Sequence, residues 1–243
     1  MIGVSYYQSL FAMVKEQDAK RMSVNHRKTM SWLSRAIELT ALKANGTVRI
    51  FSGFQSMQFF LPVRARYEQL AEQGAQVFVY GYPDIVPPMD SRITYVQLDK
   101  EDPLVKEWFI VVNSPDFSNA LLTEDESGLN TPHERRRFKG LLSYDRDIVQ
   151  GLDDALSSQI RVPHVQPSAM SALERQMMML MVENLQDASR RMMHDATVTR
   201  ELGAITNQYI SPALNARLSP ASTVATDSLT FSTKSRLHMN QTV

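Results

Sequence analysis

VRIFSGFQSMQFFLPVRARYEQLAEQGAQVFVYGYPD, running from Val48 to Asp84, decides the fold, because it holds two apolar strands separated by one helix. Val48-Arg49-Ile50-Phe51 is a β-branched and aromatic run, and Ser52-Gly53 is expected to stop it. Pro62 to Gln73 carries Val63, Tyr67, Leu70 and Ala71 at helical spacing, with Pro62 suited to the first turn and Gly74 to the end. Gln76-Val77-Phe78-Val79-Tyr80 returns as a second strand. Strands joined by a helix of this length lie parallel. Two loops, Gly53-Phe54-Gln55-Ser56 and Gly81-Tyr82-Pro83-Asp84, then share the carboxyl edge of the sheet, where open α/β sheets place ligands.

Working outward, Ser5 to Lys15 suits a short amphipathic helix, Gln17 to Val24 a polar loop, and Arg27 to Lys43 a stronger helix stopped by Asn45-Gly46. After Asp84, Pro87-Pro88 forbids helix and predicts an extended loop. Arg92 to Leu98 follows as a strand, and Trp108 to Asn113 is apolar enough for a central buried one. Phe117 to Glu124 fits strand or helix equally. Arg135 to Tyr144 is a basic edge running into a strand, and Asp145 or Ser143 is placed to cap a helix over Asp147 to Ile160. The fold class predicted is α/β: an open, mainly parallel sheet with flanking helices, then a long C-terminal helix and a disordered tail. The boundaries expected are residues 5–160 for the α/β unit, 161–168 for a proline-marked linker, 169–211 for a helical arm and 212–243 for the tail. Within the arm the apolar spacing is interrupted at Asp195 and Thr199.

Composition excludes several classes of function. The 243 residues allow one ordinary domain with an appendage or two small ones. Twenty-six basic side chains balance 26 acidic ones, so net charge offers no reason to expect nucleic acid or an anionic membrane as partner. With no cysteine there is no disulfide, thiolate nucleophile or iron–sulfur cluster. Five scattered histidines show no metal-ligand spacing. No secretory signal and no membrane-length apolar stretch is visible, which predicts a cytoplasmic protein.

Certain short runs, in this order, resemble a known family. They are Arg27-Lys28-Thr29-Met30 with Ser34-Arg35-Ala36-Ile37-Glu38, Phe51-Ser52-Gly53-Phe54-Gln55, Arg66-Tyr67 and Gly81-Tyr82-Pro83-Asp84. Asp102-Pro103-Leu104, Glu107 to Val112, Arg136 to Leu141 and Ser143-Tyr144-Asp145 complete the set. The chain so resembles the DICT sensory domain, found in diguanylate cyclases and two-component systems and common in cyanobacteria. The resemblance spans about residues 5–160 and implies a sensory or interaction module. No GGDEF run is present, and Met193-His194-Asp195-Ala196 differs from a phosphoacceptor-histidine motif. The resemblance therefore implies a stand-alone sensor or adaptor, not an enzyme, partnered by a histidine kinase, response regulator or diguanylate cyclase, or by a second copy. It names no cofactor and carries over no catalytic set.

The residues themselves suggest where ligand and partner would act. Gly53, Phe54, Gln55, Arg66, Tyr82 and Asp84 are the candidate ligand-binding residues. Glycine lets a backbone approach, and glutamine offers both a donor and an acceptor. The alternatives are a tight turn around a buried Phe54 and a turn-capping Asp84. A phosphate loop does not fit a single glycine without Gly-Lys-Ser/Thr. Arg135-Arg136-Arg137 reads as a solvated edge, and Trp108 as core more readily than as a stacking surface. Met177, Met178, Met181, Leu185 and Met192 are the candidate partner-binding face, since methionine adapts to varied surfaces. The competing functions are an adaptor that senses nothing and an enzyme using Asp84 and Gln55.

Overall fold

The computed structural model describes residues 7–18, 21–44, 47–86, 92–160 and 173–218. The expected stop at Asn45-Gly46, the Pro87-Pro88 loop, the linker at 161–168 and the tail from 219 lie outside these residues. The elements are α1 (Leu10–Asp18), β1 (Ser23–His26), α2 (Arg27–Ala41), β2 (Arg49–Ser56), α3 (Arg64–Glu72), β3 (Gln76–Tyr82) and β4 (Ile93–Gln97). They continue with β5 (Glu107–Asn113), β6 (Asn119–Asp125), β7 (Arg137–Ser143), α4 (Arg146–Gln159), α5 (Glu174–Arg191), α6 (Ala196–Ile205) and α7 (Ser211–Leu218).

One seven-stranded sheet runs β1-β7-β6-β5-β2-β3-β4. The expected βαβ unit is present: β2 and β3 pair in parallel with Ile50 opposite Val77 and Ser52 opposite Val79, and β4 extends the parallel edge. The rest corrects the mainly parallel expectation, because β2 with β5, β5 with β6, β6 with β7 and β7 with β1 are all antiparallel. The reason is local. No α-helix lies between β5 and β6 or between β6 and β7, only a short turn in the first case and a loop with one 3-10 turn, His133–Arg135, in the second. Connections without a crossover helix join antiparallel strands. β1, in the stretch read as a loop, adds the edge strand.

Alternate residues of β2 show how the faces are used. Arg49 reaches α4, where Nη1 donates to Asp153 Oδ1 at 2.8 Å and to Ser157 Oγ at 2.9 Å. Ser52, on the other face, is hydrogen-bonded to the hydroxyl of Tyr67 on α3 at 3.0 Å. Thus α1 and α4 cover one side while α2 and α3 cover the other. Asp145 caps α4, accepting from the backbone N–H groups of Asp147 and Ile148, as its position before the apolar stripe implied.

The long C-terminal helix is broken. α5 ends at Arg191, and Asp195 starts α6 by accepting from the Val198 N–H. The aspartate that interrupted the apolar spacing is therefore an N-cap. A π-helical turn, Thr206–Ile210, joins α6 to α7, so the chain stays helical past Pro212 as far as Leu218. Both α5 and α6 pack along α2.

Candidate ligand-binding site

β2 does not stop at Ser52-Gly53. It continues through Ser56, and the four residues read as a loop are buried strand. Gly53 is required by packing: a Cβ there would lie 2.2 Å from the Phe109 ring on β5. Between Gly53 and Ser56 the pairing with β3 shifts, and Gln55 takes φ +64°, a conformation unfavourable for a non-glycine residue. Such bulges re-aim side chains and recur beside functional sites.

Beside the bulge lies a cavity of about 160 Å³ between α2, β2 and the chain leading into α3. One wall is a stripe of α2, Arg27, Ser31, Ser34 and Glu38, spaced four, three and four residues apart so that all share one helix face. Phe54, Phe59, Pro62, Val63 and Trp108 supply apolar surface, while Gln55, Arg66 and Arg136 complete the lining. Trp108 is half-buried, stands edge-on to Phe138 and donates from Nε1 to Ser34 Oγ at 3.1 Å. It is a fixed wall.

The polar groups are closely arranged. Glu38 is buried and accepts from Arg66 Nε and from the Tyr67 hydroxyl at 2.9 Å. Burial pushes its carboxyl above the ordinary value, with Arg66 opposing. Arg136 is buried as well, pairing with Asp125 and donating to Gln55 Oε1 at 2.6 Å. Its guanidinium sits 5.6 Å from the centre of the Phe59 ring, and that of Arg27 lies 5.9 Å from the same ring. Burial, then the neighbouring Arg136, draws the Arg27 guanidinium below its ordinary value, with Glu134 opposing. Among the described residues no carboxylate stands within 4 Å of Arg27. Gln55 Nε2 and Arg136 Nε have no acceptor there either. A buried donor left so costs about 1–3 kcal/mol.

Of the six candidate ligand residues, the cavity gathers Phe54, Gln55 and Arg66. Gly53 is packed into the sheet, and Tyr82 is half-buried beneath the Lys100 ammonium. Asp84 accepts from Ser56 Oγ at 2.6 Å and from the Gln58 N–H at 3.1 Å, holding the turn after β2. Arg136 corrects the solvated-edge reading: it is buried while Arg135 and Arg137 are exposed. The residues missed, Arg27, Ser31, Ser34 and Glu38, had a signal in their shared helical spacing. Met177, Met178, Met181, Leu185 and Met192 are all buried by the chain's own helices.

On the far side of α2, Lys28 Nζ contacts Asp195 at 2.8 Å, Thr29 donates to Glu201 at 2.5 Å, and Asn184 donates to Thr40 Oγ1 at 3.0 Å. Just ahead of α2, His26 Nδ1 lies 2.6 Å from Glu201, and Arg137 approaches its Nε2 at 2.8 Å. Arginine can only donate, so the geometry makes Nδ1–H the donor to Glu201. One helix thus carries the cavity on one face and the C-terminal helices on the other.

No helix among the described residues is long and apolar enough to cross a membrane. No curated protein matches the chain. Among solved structures it is similar to the archaeal chromatin protein TrmBL2, whose structure is described as showing a novel mode of DNA binding. The identity is 12% and the TM-score 0.37, over 64% of this chain and 58% of that one. Residues 3–126, which include α2, β2 and Trp108, match the sensory domain in diguanylate cyclases and two-component systems, so the chain belongs to the DICT family.

Proposed function

We propose that this sensory domain binds a small molecule in the cavity beside α2 and passes its occupancy to α5 and α6, which present the change to a signalling partner. The observation carrying this reading is the position of α2. Arg27, Ser31, Ser34 and Glu38 line the cavity, while Lys28, Thr29 and Thr40 of the same helix hold the C-terminal helices. A ligand that prefers one placement of α2 shifts the population of arrangements on both faces. In this reading residues 5–160 form the sensing unit and the helices after residue 169 transmit. A histidine kinase, response regulator or diguanylate cyclase is the class of partner expected.

The test is native mass spectrometry of the full chain from its own source, beside Ser31→Phe and Val63→Phe, which place a ring in the cavity. A small molecule retained by the parent and lost from both folded variants supports the reading. No retained molecule, or one indifferent to both variants, argues against it.

A non-sensing adaptor is favoured by one observation. α5 and the residue before it leave Met179 and Leu173 exposed beside half-buried Leu180, an apolar strip on the outer face. Partner capture that survives Ser31→Phe but is lost on Met179→Glu would favour that reading.

A further inference from the structure

We infer that the ligand of this cavity is a planar, one-ring carboxylic acid bound as its anion, with the carboxylate beside Arg27 and the ring against Trp108 and Phe59. The inference rests on the proposed sensory site and specifies its ligand.

Charge selects the anion. Arg27 and Arg136 both lie over the Phe59 ring, and among the described residues only Arg136 of the two has a carboxylate, Asp125, in contact. Arg66 is committed to Glu38. Three guanidiniums thus have two carboxylates in contact among the described residues, and Glu134 acts on Arg27 only from beyond contact distance. A ligand carboxylate matches a guanidinium with two parallel N–H bonds. Lysine in its place would act only as a point charge.

Shape and remaining donors select the rest. The space of about 160 Å³ is close to the ~150 Å³ cavity that accommodates a benzene ring. Phe54, Phe59 and Trp108 offer ring surfaces, and Trp108 is held in place by its bond to Ser34. Flat ligands gain most from offset or edge contacts with such walls. Gln55 and Arg136 both line the cavity, and Gln55 Nε2 and Arg136 Nε lack an acceptor among the described residues, donors that a polar substituent on the ring would satisfy. The bulge at φ +64° places that amide in the lining.

The experiment is calorimetric titration of the full chain with benzoate, benzamide and cyclohexanecarboxylate, repeated with Arg27→Gln. Benzoate is expected to bind at least tenfold more tightly than either analogue, and Arg27→Gln to weaken benzoate at least tenfold while leaving benzamide unchanged. Equal binding of benzamide overturns the anion, and equal binding of cyclohexanecarboxylate overturns the planar ring. If no probe binds, the ligand class is overturned, and the mass spectra then separate two failures. A retained molecule lost in Ser31→Phe leaves the sensor standing, whereas none retained ends both readings.

Discussion

The Arg136 guanidinium donates to the side-chain oxygen of Gln55 at 2.6 Å, joining residues 81 apart in sequence across the floor of the cavity. Gln55 stands at φ +64° to make this contact, so the sheet holds a strained residue where its one buried arginine of the Arg135–Arg137 run needs an acceptor. Strain of this kind is retained at binding sites when surrounding packing over-determines it.

This relationship predicts an ordering of variants. Gln55→Gly and Gln55→Ala both lose the bond to Arg136, but only glycine accepts positive φ without the ~1–2 kcal/mol penalty of a Cβ. Thermal unfolding should place Gln55→Gly above Gln55→Ala. The reverse order would show that the backbone there is unstrained.

Gly53→Ala places a methyl 2.2 Å from the buried Phe109 ring. Overpacking of this kind costs about 1–3 kcal/mol. Gly151, exposed within α4 with nothing near its missing Cβ, should instead gain up to ~1 kcal/mol as alanine. Urea midpoints moving in opposite directions would bear out both assignments, and equal midpoints would refute the Gly53 packing.

Asp153 is fully buried, accepting from Arg49 at 2.8 Å and from Asn113 at 2.8 Å. Removing it leaves the Arg49 cation buried without its carboxylate, a loss of about 3–5 kcal/mol. Asp153→Ala should therefore lower stability far more than Asp147→Ala, whose side chain is exposed. Comparable denaturation midpoints for the two variants would count against a structural role for the buried pair.

Glu107 gives a pH dependence. Its carboxyl is buried at the start of α1, accepts from the Phe11 N–H at 3.3 Å, and is pushed mainly by burial from 4.5 up to about 7. Raised in the fold, the group favours folding fully below its unfolded value and loses that contribution as pH rises through about 7. Between those values the change is on the order of 3 kcal/mol. Glu107→Gln keeps an acceptor without ionising, so its urea midpoint should fall less than the parent's between about pH 5 and pH 8. Parallel falls would contradict the assignment.

Much of the fold was legible because local pattern and tertiary demand agreed. β2, α3 and β3 follow from apolar spacing, and α4 from its stripe and the Asp145 cap. The sheet's sense was not, because parallel order was inferred from one βαβ unit while hairpins govern β5, β6 and β7. Gly53 misled for a related reason: it marks close approach to Phe109, not a turn. The cavity was half legible. Gln55 and Arg66 carry polar groups in apolar surroundings, but Arg136 sits between two exposed arginines, just after a 3-10 turn and just ahead of β7, and nothing in the run of three marks which one turns inward. The methionine face of α5 reads in sequence as a partner surface because apolar spacing alone does not say that α2 covers it.

Coupling across α2 is tested most directly by hydrogen exchange of the full chain. The chain carrying the molecule retained from its source is compared with the same chain stripped by unfolding and refolding. Slower exchange with ligand is expected both in residues 27–38 and, beyond contact with the cavity, in residues 196–205 of α6, with the second effect diminished by Glu201→Gln. Protection confined to the cavity's own residues, with α6 unchanged, would contradict it.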